Sequence, residues 1–181
     1  MGMPNVIATI EVRIHDLHQL FNSLDPSPFH ERDLDDEAES YIVGWAMELG
    51  SRGPFRIVVH LPADQLNDAR ERQLDAAIAN HFAYRLGMVE RDARQLVRTG
   101  IRFLGVGTSM LTICMVLGYL GRTFVFREPY GSFVEQGLSV FGWVANWRPA
   151  EILLYDRLDA RRKVALYRAL ASSEVEIREF S

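Results

Sequence analysis

The sequence predicts an α/β (α+β) domain with a three-stranded sheet, carried on a two-helix transmembrane hairpin. Three observations lead there. Residues 6–14 alternate apolar and polar side chains, the pattern of a half-buried strand. Residues 103–121, FLGVGTSMLTICMVLGYLG, contain no Asp, Glu, Lys, Arg or His over nineteen positions. Basic segments flank the apolar region on both outer sides, and the connection inside it is neutral.

Composition bounds this reading. The 181 residues are 48% hydrophobic and 24% charged, which excludes a collagen-like or disordered chain. The single cysteine excludes an internal disulfide framework and a Cys-rich zinc site. A net charge of −4 makes no general case for nucleic-acid binding. The charge is uneven, however: residues 1–64 hold four Arg against eleven acids. Residues 84–102 hold five Arg against Glu90 and Asp92, a local excess of +3.

In chain order, Val6, Ala8, Ile10, Val12 and Ile14 form the apolar face of the first strand. Leu17, Leu20, Phe21 and Leu24 follow at helical spacing, and DPSPF (25–29) reads as a stiff loop. The acids Asp33, Asp35, Asp36, Glu37 and Glu39 open a helix, where they favour its dipole and cap free N–H groups. Ala38, Ile42, Trp45, Ala46 and Leu49 are expected on its buried face. GSRGP (50–54) ends it, and FRIVVHL (55–61) reads as a buried strand. From about Ala63 one long helix is expected, broken at Gly87 or Gly100, leading into the apolar run. EVEIREF at the C-terminus reads as a third strand, expected to pair with the strand at 6–14.

The run 103–121 has a mean hydropathy of roughly 1.7, and at about 1.5 Å per residue it covers nearly 30 Å, the hydrocarbon thickness. A buried core helix of this length would carry charges, so a span is expected. Residues 131–155 are expected as the second span, although only 136–147 are free of charge. The loop 122–135 is neutral, and residues 156–168 carry five basic side chains against Asp156 and Asp159. Both termini are therefore expected in the cytoplasm. The first residues form neither a secretory signal nor a myristoylation site, which agrees. The expected organisation is a cytoplasmic α/β domain at 1–98, a transmembrane hairpin at 99–155, and a cytoplasmic amphipathic helix and returning strand at 156–181.

The candidate functional residues follow from that organisation. Gly105 and Ser109, and Cys114 and Gly118, are pairs of small residues four apart that let helices approach closely. Trp143, Trp147, Arg148 and Tyr155 are expected as membrane-interface anchors, with Arg148 snorkelling or pairing with Glu151. No catalytic, cofactor-binding or metal-ligating residues are assigned: there is no GxSxG, P-loop, HExxH or CxxC, and GVG at Gly105 lacks the rest of a dinucleotide fingerprint.

DLHQLFNSLDPSPF and GWVANWRPAEILLYD, on either side of the first apolar run, resemble a family of small bacterial two-span inner-membrane proteins. The resemblance covers most of the chain and implies a bacterial inner-membrane setting, but no activity. Nineteen Arg against one Lys fits a GC-rich genome. The expected function is that of a non-catalytic membrane-anchored accessory, scaffold or assembly subunit. Its expected partners are the bilayer and a membrane protein or further copies of itself, not nucleic acid. One alternative is a metal-dependent enzyme built on His15, His18, Asp25, His30 and Asp33. The other is an oligomeric channel or transporter component lined by Thr108, Ser109, Thr112, Gln136 and Asn146.

Overall fold

The computed structural model describes residues 7–22, 33–50 and 53–180. The chain divides into two compact units, Met1–Glu90 with Arg161–Ser181, and Arg91–Ala160. The first unit holds a three-stranded sheet: β1 (Ala8–Arg13), β2 (Phe55–Leu61) and β3 (Glu174–Glu179). All strands are parallel and β2 lies in the centre. The helices are α1 (Asp36–Glu48), α2 (Leu66–Glu71), α3 (Leu74–Leu120), α4 (Tyr130–Val144), α5 (Trp147–Glu151) and α6 (Arg157–Ala171).

One face of the sheet carries the core. The register stacks Ile10, Ile57 and Val175 in one row and Val12, Val59 and Ile177 in the next. Ile42 and Ala46 of α1, Leu74, Ile78 and Phe82 of α3, and Leu166 and Leu170 of α6 complete it, all at 1% exposure or less. The opposite face is polar, with Glu11, Arg56, His60, Glu174, Glu176 and Arg178 around a buried Val58. Arg56 bonds Glu174 at 3.0 Å across the strands.

The expected pairing of the C-terminal strand with residues 6–14 is not what forms: β3 adds to β2, with Ile57 opposite Val175 and Val59 opposite Ile177. FRIVVHL is the most continuously apolar strand, so it takes the position with neighbours on both sides. The long helix also breaks elsewhere than expected. α2 ends before Gln73, which adopts a positive φ of 54°, and α3 then runs unbroken through Gly87 and Gly100. On α1, Ile42 and Ala46 are buried, whereas Trp45 and Leu49 are exposed. Glu39 takes a buried place in their stead. Asp35 caps this helix by accepting from the Glu37 amide at 3.0 Å, and Gly50, at a φ of 105°, follows its end. Leu17–Leu20 form a 3-10 turn capped by Asp16, while Leu24 and the loop 25–29 lie outside the described residues.

The helix Leu74–Val125 begins in the first unit and continues into the second, and it contains an apolar window of mean hydropathy 1.8, of which only 17% is buried. Among the described residues it is the one helix long and apolar enough to cross a membrane. The expected second span at 131–155 is not one continuous helix. α4 stops at Val144, α5 starts at Trp147 with Pro149 in its first turn, and a π-helical turn covers Ile152–Asp156. Pro149 has no N–H to give the preceding turn, which accounts for the interruption.

Hydrogen exchange tests the sheet. The Phe180 amide donates to the Leu61 carbonyl at 2.7 Å, so the amides of Glu176, Arg178 and Phe180 point at β2, and those of Val175 and Ile177 point outward. Exchange should therefore alternate, slow at 176, 178 and 180 and faster at 175 and 177. Uniformly fast exchange would disprove the pairing.

Candidate functional site

Two arms of the second unit lie antiparallel, and glycine makes the contact. A methyl group built on Gly118 would sit 3.1 Å from the Glu135 Cα. On Gly142 it would sit 2.9 Å from the Leu111 Cα, and on Gly107 2.9 Å from the Ala145 carbonyl oxygen. On Gly100 it would sit 2.8 Å from Ile152 Cγ2. The partners step down one arm as they step up the other, so α3 packs against α4 and the segment after it. Absent side chains let the two backbones approach.

Asn146 adds the polar tie between the arms. Its amide donates to the Gly107 carbonyl at 3.0 Å and to the Gly142 carbonyl at 3.1 Å. Glycine at both positions leaves those carbonyls open from the side. At the closed end, Arg122 bridges Glu128 and Glu135, each at 3.0 Å.

Burial in this unit is inverted relative to a water-soluble core. Gly107, Cys114, Gly118, Gly131 and Gly142 are inside, whereas Val106, Phe124, Phe133 and Val140 face out. Phe133 is 78% exposed. Large apolar side chains thus form an exposed surface along both arms.

The sequence-selected residues divide accordingly. Cys114 and Gly118 lie at the contact between the arms. Gly105 and Ser109 do not: nothing lies within 4 Å of a Cβ built on Gly105, and the Ser109 hydroxyl donates to the Gly105 carbonyl of its own helix at 2.9 Å. Trp143, Trp147 and Tyr155 face outward, and Arg148 pairs with Glu151 at 2.8 Å. Thr112 bonds its own helix backbone, as Ser109 does. Of the residues considered for a metal, Asp25 and His30 lie outside the described residues. The His15 ring lies against Phe180, and Asp33 lies 3.2 Å from His81. Among the described residues no group of three or more His, Cys, Asp or Glu could hold a metal ion.

The sequence reading missed the contact residues Gly107, Leu111, Gly142 and Asn146. Their signal was the recurrence at 107, 111, 114 and 118, which is the spacing of a helix–helix seam. It also missed a buried polar cluster in the first unit. Glu39 Oε1 accepts from Arg85 and from the Tyr167 hydroxyl, both at 2.8 Å, while Oε2 lies 3.3 Å from His81 Nε2. His81 Nδ1 accepts from the Leu34 amide at 3.1 Å, which leaves Nε2 to carry the proton given to Glu39. Burial opposes charge on Glu39, but the bonds from Tyr167 and Arg85 outweigh it and hold the carboxyl below the usual range. Burial, with the neighbouring carboxylate, raises the Tyr167 hydroxyl. This cluster joins α1, α3 and α6, with Glu39 and His81 buried and Arg85 reaching the surface, and its bonds tie the three helices together.

In comparisons with family models, with curated proteins and with solved structures, nothing matches the chain.

Two tests follow. Gly142→Leu and Gly118→Leu should each lower the stability of the protein in detergent, while Gly105→Leu should leave it within about 0.5 kcal/mol. Thermal unfolding of the three variants decides. Glu39 is held below its unfolded value of about 4.3, so its charge stabilises the fold above that pH, and the contribution is lost as pH falls further. Tyr167→Phe should cost about 1.5–3 kcal/mol at neutral pH. Glu39→Gln should flatten the acid side of the stability profile, as read by urea unfolding across the acid range.

Proposed function

We propose that the protein is a non-catalytic accessory, scaffold or assembly subunit, anchored in the inner membrane of a bacterium by a two-span hairpin with both termini in the cytoplasm. The observation that carries this reading is the inverted burial of residues 91–160, with glycine and cysteine inside and large apolar side chains outside. A soluble core would place them the other way round.

The length of the paired arms supports two spans. From Gly100 to Gly118 the first arm rises about 27 Å, close to the hydrocarbon thickness of about 30 Å. The second arm runs beside it from Glu135 to Ile152 and, although interrupted, stays helical through most of that path. Interruptions of this kind are tolerated where other groups satisfy the freed carbonyls, as the Asn146 side chain does for Gly142 at 3.1 Å.

The charges support the proposed orientation. Arg91, Arg94, Arg98, Arg102 and Arg157 cluster at the open end of the hairpin, while the closed end pairs Arg122 with two carboxylates. Because Asn146 stands opposite Gly107 and Ile152 opposite Gly100, Trp147 and Arg148 fall near the basic end of the uncharged run. Tyr155 falls beyond it and Trp143 about one turn deeper. Aromatic rings and a snorkelling arginine at that level anchor the hairpin in the headgroup layer.

Three of the five polar side chains considered for a channel are turned to other uses. Ser109, Thr112 and Asn146 bond backbone carbonyls within the hairpin. The first unit then remains the working surface, held at the membrane to meet a partner.

Cysteine accessibility tests the topology. In a Cys114→Ala background expressed in a bacterium, Ser132→Cys should react with an impermeant maleimide in intact spheroplasts, and Ser181→Cys only after lysis. The reverse pattern overturns the orientation. Release of the protein by alkaline carbonate overturns the anchoring itself.

A further inference from the structure

We propose that the free edge of β1 is a docking site for an extended cationic segment of a partner protein, which adds to the sheet as a fourth strand. This names the partner chemistry for the docking module proposed above and rests on that reading.

β1 is an edge strand whose other neighbour is missing among the described residues. The Ala8 amide donates to the Pro54 carbonyl at 3.1 Å and the Ile14 amide to the His60 carbonyl at 3.2 Å. Residues 8, 10, 12 and 14 therefore turn their backbone groups to β2. Those of Thr9, Glu11 and Arg13 point away from it, and among the described residues no strand pairs with them. Edge strands are commonly blunted by lysine, proline, bulges or a covering element. β1 contains no Lys or Pro, and its pairing with β2 is continuous from Ala8 to Arg13.

A groove runs along this edge between β1 and α1. Tyr41 and Trp45 form its aromatic wall, stacked edge to face at 6.3 Å and each almost half exposed. The Tyr41 hydroxyl reaches the outward Glu11 carbonyl at 3.3 Å, which shows that this backbone group takes a donor from the groove side. The bond is long and peripheral, so an incoming amide can replace it.

Charge selects the occupant. Among the described residues, Asp35, Asp36 and Glu37 line the α1 side of the groove, while Glu11 and Arg13 stand on the strand and lie 3.8 Å apart. Asp35 spends one oxygen on the helix cap, and Asp36 and Glu37 are exposed. A strand laid along β1 turns one row of side chains to α1, which carries Asp36, Glu37, Tyr41 and Trp45, and the other to the sheet face of Glu11, whose carboxylate already has Arg13 at 3.8 Å and His60 at 3.9 Å. The segment that fits carries its cationic side chains in the row that meets α1 and uncharged ones in the other. Backbone bonds supply the affinity and the two rows of side chains the specificity.

The test uses the full chain in detergent micelles and a fluorescent heptapeptide alternating lysine and valine. It should bind saturably, and about tenfold or more tighter than its glutamate–valine counterpart. The same peptide with N-methyl groups on its inward-facing amides should lose binding. Asp36→Lys with Glu37→Lys should weaken it about tenfold. Thr9→Pro, which removes only an outward N–H, should abolish it. In the free protein, the amides of Thr9 and Glu11 should exchange fast and become protected when the lysine–valine peptide is added. Equal binding of the N-methyl peptide, absence of binding, or protection of those amides before peptide is added overturns the proposal. Membrane anchoring is read separately by carbonate extraction, so either proposal can fail alone.

Discussion

Glu39 sets the arrangement of the first unit. A carboxylate with so little access to water is destabilising by several kcal/mol unless its charge is matched. It is matched from two directions, by Arg85 and His81 on α3 and by Tyr167 on α6. Removing any one partner leaves a buried charge short of bonds. The three helices are thereby fixed against one another at a point where apolar packing alone would tolerate sliding. The aromatic surroundings reinforce this, with Phe82 lying between the His81 and Tyr167 rings.

The sheet these helices cover is assembled from distant parts of the chain. β2 and β3 pair in parallel, although the second unit intervenes between them in sequence. A parallel pair needs a crossover, and here the crossover contains the whole hairpin. The core therefore closes only when the segment after the hairpin has returned, because Leu166, Leu170, Val175 and Ile177 complete it. Folding of the first unit is coupled to the returning segment by this connectivity: the C-terminal strand is delivered by the same helix that leaves the paired arms.

The two units place the same residue types in opposite ways. In the first, large apolar side chains go inside and arginines and carboxylates alternate on the open sheet face. In the second, they go outside and glycine fills the seam. In the apolar surrounding proposed for this unit there is no hydrophobic reason to bury Phe133 or Val106, and close backbone contact becomes the main gain. The acidic groove beside β1 and the basic end of the hairpin give one chain two surfaces of opposite charge.

Much of this was legible in the sequence. Alternation at 6–14 and 174–179 marked the outer strands, FRIVVHL marked a buried one, and the absence of charge from 103 to 121 marked the apolar helix, because each depends on local periodicity or composition. The pairing of β3 with β2, the break at Gln73, the exposure of Trp45 and the interruption of 131–155 depended on tertiary contacts. Strand order is decided by which strand can bury both edges, and no single segment carries that information. Gly105 and Gly107 look alike in the sequence, yet only Gly107 meets the other arm, because rotation of α3 about its axis is set by its partner. Glu39 reads as one more acid in a helix start, and only three residues brought from positions 81, 85 and 167 make it the centre of the unit.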